Sequence, residues 1–276
     1  MITARGVYSI SLDGGKTFSS KNNMLLRNYY RYSTKGSFFA VVGSNTTPVT
    51  FNDTAIPSGA QSPATPSFDE VVDIDNVGED FISNKSFTFE FGTGLNLTIQ
   101  EVGIVSNGRL VSRAVYSEPV YVTELDSLVV RYTIQYIVNT KEHTFNFGYK
   151  GRSIIASVRA VNPNQWGKRL FGYPLEITAI ALGGGWTVDQ NNYIVGGNEV
   201  FNKSIATIYE YSDTKRVAKA VLSAGLNEAI GSYNQALIKS GSNGVLLITF
   251  NQQLDKTSDD FFGFSLGFEQ EHYNDT

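Results

Sequence analysis

From Ser86 to Val138 apolar and polar residues alternate with a period of two. In SFTFEF the odd positions are Phe87, Phe89 and Phe91. In LNLTIQ they are Leu95, Leu97 and Ile99. In LVVRYTIQYIV one face carries Val130, Tyr132, Ile134 and Tyr136. Such alternation is the mark of half-buried strands. Gly92-Thr93-Gly94 between the first two runs has the length and glycine content of a hairpin connection. Asn107-Gly108, between EVGIV and RLVSRAVY, is a strong hairpin signal. The pattern predicts a run of antiparallel strands, and YPLEITAIAL, NYIVGG, VLLITF and FFGFSLGF extend it towards the C-terminus.

One stretch is balanced between helix and strand. TKRVAKAVLSAGLNEAIGSYNQALI (residues 214–238) is rich in Ala, Leu and Lys, which favour helix, and Gly225 and Gly231 weaken it. Residues 43–80 are Ser-, Thr-, Pro- and Asn-rich and acidic, and read as a long loop or arm. The expectation is an all-β protein: residues 1–80 hold N-terminal strands and the arm, and residues 81–276 form an antiparallel, jelly-roll-like β-sandwich. There is no regular internal repeat.

Composition supports the strands. Hydrophobic residues make up 41% of the 276 and charged residues only 17%, with 18 Phe, 15 Tyr and 26 Gly, which argues against disorder and for pleated surfaces with many turns. The net charge of -4 and the absence of a basic stripe argue against nucleic-acid binding. No apolar run is long enough to span a bilayer as a helix. There is no cysteine, so disulfides and thiolate metal sites are excluded, which suits folding in a reducing cytoplasm.

The short motifs weigh mostly towards turns. SLDGGKTF (Ser11–Phe18) resembles the Asp-box turn of sialidase propellers. It occurs once where a propeller would repeat it, and Asp13-Gly14-Gly15 is what a tight turn demands. Gly15-Lys16-Thr17 lacks the upstream glycine of a phosphate loop, where Ile10 stands. The acidic run DEVVDIDNVGED has Asp73, Asp75 and Gly78 at calcium-loop spacing. Val77 occupies a ligand position, and Asn84 stands where the bidentate Glu belongs, so it is not an EF-hand. His143 and His272 share no metal-ligand spacing. Gly183-Gly184-Gly185-Trp186 reads as a bulge, and Trp166, Trp186 and most tyrosines as core. No residue is assigned to catalysis, to a cofactor or to a metal, and an enzyme is not expected.

Three segments together resemble a family, the minor virion and tail structural proteins of tailed bacteriophages. The first reads FFAVVGSNTTPVTFNDTAI, with Gly43, Pro48, Asp53 and Thr54. The second reads FTFEFGTGLNLTIQEVGIV, with Ile99, Glu101, Val102 and Gly103. The third reads LVSRAVYSEPVYVTELDSLVVRYTIQYIV, with Leu110, Ser112, Arg113, Ala114, Tyr116 and Pro119. Near the C-terminus ITFNQQLDKTSDDFFGFSLGF is similar to the closing strand pair, with Gln252 or Gln253 where a proline is usual. The resemblance implies a virion subunit of the tail or neck, assembled in the host bacterial cytoplasm. Its expected partners are copies of itself and other virion proteins, with the 43–80 arm reaching a neighbour. It implies no catalytic residues. A glycan-binding fibre or tip module and a capsid decoration protein are the alternatives.

One pair carries a physical expectation. With a hairpin centred near Ser106–Gly108, Glu101 and Arg113 fall opposite each other, and a cross-strand ion pair, bidentate in geometry, would fix the register.

Overall fold

The computed structural model of the chain describes residues 2–31, 38–56, 66–67, 73–77, 80–170, 177–211 and 215–272. β1 (Ile2–Ser11) and β2 (Ser19–Leu25) lead to a helical turn, α1 (Arg27–Arg31), and to β3 (Phe38–Gly43). Two short strands follow, β4 (Pro66–Ser67) and β5 (Asp73–Val77). Four long ones come next: β6 (Asp80–Gly92), β7 (Leu97–Ser106), β8 (Arg109–Val122) and β9 (Leu128–Asn139). β10 (His143–Tyr149) and β11 (Arg152–Ala160) precede the helix α2 (Pro163–Leu170). The remainder is strand: β12 (Ala179–Val188), β13 (Ile194–Ser204), β14 (Thr207–Tyr211), β15 (Lys215–Ala224), β16 (Gly231–Ser240), β17 (Asn243–Lys256) and β18 (Phe262–His272).

The strands form two sheets, neither closed into a barrel, and pairing is antiparallel except between β1 and β18. The larger sheet runs β14-β15-β18-β1-β2-β8-β7-β3, with β9, β6, β5 and β4 branching from β1. The smaller runs β10-β11-β17-β16-β12-β13. Burial follows the alternation in the sequence: Phe87, Phe89, Val130, Tyr132, Ile134 and Tyr136 are all buried. They belong to one core with Ile99, Val102 and Ile104 of the β7 layer and with Leu222, Ile238 and Ile248 from the C-terminal half. Each large apolar side chain withdrawn this way contributes about 1.5–3 kcal/mol.

Several expectations need correction. β6 and β7 do not form a hairpin: β6 pairs with β9, β5 and β4, and β7 pairs with β8 and β3. Gly92–Gly94 instead carries the chain from the strand beside β9 to the strand beside β8. Residues 215–238 are not a helix. β15 and β16 occupy them, because Ala218, Ala220, Leu222 and Ala224 are buried with a period of two and alanine's helix propensity yields to that burial. The helix that forms, α2, starts with Pro163, whose fixed φ suits a first helical position, and is anchored by the buried Trp166.

The N-terminal strands share the larger sheet with strands from later in the chain. β1 lies between β9, paired along Ile2–Ser11, and β18 and β2, which share its other edge. The described part of the 43–80 arm packs against its own chain. Residues 44–56 fold back as a strap whose Phe51 packs on the core, while β4 and β5 pair with β6. Residues 57–65, 68–72 and 78–79 of that arm, Gly78 among them, and the side chains of the acidic run around Asp73 and Asp75, lie outside the described residues.

Candidate functional site

The two residues singled out from the sequence do meet. β7 and β8 are joined by Asn107-Gly108, both with positive φ (51° and 73°), the backbone that a two-residue hairpin of this hand requires. The register then slips between Ile104 and Val105, so Arg113 stands opposite Gly103 and Glu101 opposite Val115. Glu101 and Arg113 are therefore diagonal neighbours, one step from the expected opposition, and the long arginine spans the step. Its Nε donates to Glu101 Oε2 at 2.9 Å, and its Nη2 lies 2.8 Å from the same oxygen as an ion pair. The contact converges on one oxygen and is not the expected two-by-two fork. Glu101 Oε1 is buried without a hydrogen-bond partner.

Two further partners complete the node. Arg113 Nη1 reaches Asp53 Oδ2 at 2.8 Å, and Nη2 donates to the Thr47 carbonyl at 3.0 Å. Both belong to the strap. Asp53 is itself held by Thr50, whose hydroxyl and amide donate to it at 2.6 and 3.1 Å. Burial pushes the Asp53 carboxyl up, but the Thr50 and Arg113 hydrogen bonds outweigh it and hold the group below the usual aspartate range. Arg113 is 1% exposed and Glu101 0%. A buried cation facing two carboxylates and a carbonyl is the composition of a clamp, because one guanidinium ties together β7, β8 and the strap. Sequence reasoning missed the role of Asp53 and Thr47. The local signal was Thr50-x-x-Asp53, a self-bonded turn that presents the carboxylate.

Beside the clamp a groove of about 510 Å³ opens where β2 parts from β8, with Lys21, Asn23, Thr46, Gln100 and Tyr116 on its walls. β2 pairs with β1 from Ser19 to Asn23 and with β8 only at Met24 and Leu25. Lys21 Nζ bridges the gap to the Val115 carbonyl at 2.6 Å. Behind the groove Tyr8 and Tyr132 are fully buried with ring centroids 4.8 Å apart, and burial pushes both hydroxyls above the usual tyrosine range. Gly6 is required here. A Cβ at that position would fall 2.1 Å from Asn23 Oδ1 and 2.7 Å from the Tyr132 hydroxyl.

The other sequence motifs are turns and core. In SLDGGKTF, Asp13 accepts from Ser11 Oγ at 2.6 Å, from the amides of Lys16 and Thr17 at 2.9 and 3.0 Å, and from Thr17 Oγ1 at 2.6 Å. The Ser11 and Thr17 bonds hold its carboxyl well below the usual range. The stretch is the β1–β2 connection. At the triple glycine the β12–β13 register shifts, as a bulge should. There the Gln235 side chain stands in for a strand, accepting from the Trp186 amide and donating to its carbonyl, each at 2.8 Å. Trp166 and Trp186 are both buried, so neither offers a ring to a ligand. His143 is exposed on β10. Among the described residues no cluster of three His, Cys, Asp or Glu is arranged to hold a metal, and no helix is long and apolar enough to cross a membrane.

No family model, no curated protein and no solved structure matches this chain.

Proposed function

We propose that the chain is a structural subunit of a tailed-phage virion, of the tail or neck, that assembles with copies of itself and with other virion proteins. The observation that carries this reading is the Arg113 clamp. Asp53, Glu101 and Arg113 come from the three separate segments that resemble the phage proteins, and they meet in one buried cluster. Segments whose order in the sequence suggested a family are thus one physical unit. A jelly-roll-like arrangement, common in viral shell domains, is part of this reading. Tracing the chain in density from assembled particles tests it.

Gold-labelled antibody against the protein, applied to purified phage particles and viewed by electron microscopy, tests the assignment. Label at the tail or neck supports it, and label over the capsid points to a decoration protein. Particles without label overturn it. A second reading, a host-glycan-binding module, draws on a shallow depression of about 570 Å³ bounded by Asn198, Asn234, Asn251, Gln252 and Gln253. Neutral amides donate and accept at once, as sugar hydroxyls do. Label at fibre tips together with binding to a glycan array would favour it.

A further inference from the structure

Sheets that end in solvent protect their outer strand with charge, proline, a bulge or shortness. β13, at one end of the smaller sheet, carries Glu199 and Lys203 and a register shift against β12. β14, which ends the larger sheet, is five residues long and carries Glu210. β10, at the other end of the smaller sheet, has none of these devices. HTFNFGY contains no Lys, Arg, Asp, Glu or Pro, and its pairing with β11 runs from His143 to Tyr149 without a register shift.

The direction of its free backbone groups follows from one hydrogen bond. The Ile155 amide donates to Asn251 Oδ1 at 2.8 Å, on the β17 side of β11. Ile155 stands opposite Asn146. Opposed residues in an antiparallel ladder either exchange both hydrogen bonds or turn both groups away. Asn146, and with it Thr144 and Gly148, therefore points its N–H and C=O out to the open edge. The alternate residues face inward: Phe145 and Phe147 stand opposite the buried Ala156 and Ile154. Although inward-facing, Phe145 is 41% exposed. Beneath β10 lies an apolar cavity of about 350 Å³, walled by Phe145, Phe147 and Tyr149 on one side and by Phe250, Phe262 and Leu266 on the others.

We propose that β10 is a homotypic interface, pairing antiparallel with β10 of a second copy about a two-fold axis at Asn146. The strand is complementary to itself in that register. Asn146 meets Asn146 and Thr144 meets Gly148 in hydrogen-bonded pairs. Phe145 meets Phe147 in the closer, non-hydrogen-bonded pairs, where aromatic side chains pack best across strands. At the rim Glu142 of one copy faces Lys150 of the other, a side chain 37% exposed that also bonds Asp260. The pairing extends the six-stranded sheet across the axis and closes the mouth of the aromatic cavity. An uncharged, aromatic centre inside a charged rim is the usual anatomy of a protein interface. The proposal rests on the assembly reading above and names the surface that serves it.

Three variants test it by sedimentation and cross-linking. Asn146→Pro deletes the outward donor and leaves the β10–β11 ladder intact, so it should convert a wild-type dimer, or an even multiple of one, to lower order without moving the melting temperature. Asn146→Cys introduces the sole thiol of a cysteine-free chain. Hydrogen-bonded antiparallel partners lie about 5.5 Å apart at Cα, within disulfide range, so mild oxidation should give covalent dimers. Val200→Cys on β13 should give none. Where Asn146→Pro fails to fold, the cross-link decides. A monomeric wild type, an Asn146→Pro protein that sediments like wild type, or an Asn146→Cys protein that does not cross-link overturns the proposal. Labelled particles with a monomeric free protein would sink this interface and spare the virion reading. A β10-linked dimer absent from particles would do the reverse.

Discussion

Replacing Arg113 with leucine removes the centre of the clamp and leaves its partners in place. Glu101 would remain fully buried with neither carboxylate oxygen bonded, since Oε1 already lacks a partner and Oε2 is held by Arg113 alone. Breaking a buried ion pair from one side costs about 3–5 kcal/mol, most of it the stranded charge. The strap loses its Asp53 and Thr47 anchors in the same step. For a chain of this size each kcal/mol moves the melting temperature by about 2–4 °C, so Arg113→Leu should melt on the order of 10 °C lower. The double variant Glu101→Leu/Arg113→Leu removes the stranded charge, and should be more stable than Arg113→Leu alone by about 1–3 kcal/mol. Denaturant unfolding of the wild type, both single variants and the double variant measures the coupling. Equal stability of Arg113→Leu and wild type would refute the clamp. A double variant whose loss equals the sum of the singles would refute the coupling between the charges.

Three other outcomes follow from the geometry. Gly6→Ala should destabilise by about 1–3 kcal/mol, because the new methyl meets Asn23 and Tyr132, and thermal melting reads it directly. Gln235→Leu should cost about 1–3 kcal/mol by leaving the buried Trp186 amide and carbonyl without partners, visible as a shift in the tryptophan fluorescence midpoint in urea. Asp13, Asp53, Asp126 and Asp260 all have carboxyls held below the usual range. A depressed carboxyl contributes stability above its unfolded pKa and loses it as pH falls. Unfolding free energy should therefore hold near neutrality and drop below about pH 4, and a flat profile from pH 6 to 3 would contradict this.

What could be seen in the sequence was what depends on neighbours along the chain. The period of two in Phe87–Phe91 and Val130–Tyr136 needed only strand geometry, and Asn107-Gly108 needed only the backbone freedom of those two residues. What was hidden depends on distant segments. That Phe87 and Leu97 lie on strands that do not pair with each other is decided by which strands flank each, and a three-residue glycine link is the same length in either case. Ala218 to Ala224 carried a strand's period in a helix former's residues, and burial decided between them. The clamp was half visible. Two residues equidistant from a turn suggested a pair, but the register slip at Ile104 left no local trace, and the Thr50-x-x-Asp53 turn could not show that Asp53 meets Arg113, sixty positions downstream.

The pairing of Ile2–Ala4 with Gln270–His272 sets the order in which this protein can be made. β1 finds β2 at once and β9 after about half the chain, but the rest of its edge stays open until β18 exists. Closing so long a stretch is entropically slow, and folds dominated by such distant contacts are the slow ones. During synthesis the nascent chain therefore carries β1 as an unfinished strand. A premature stop anywhere before β18 would leave that strand permanently exposed, a ready seed for aggregation.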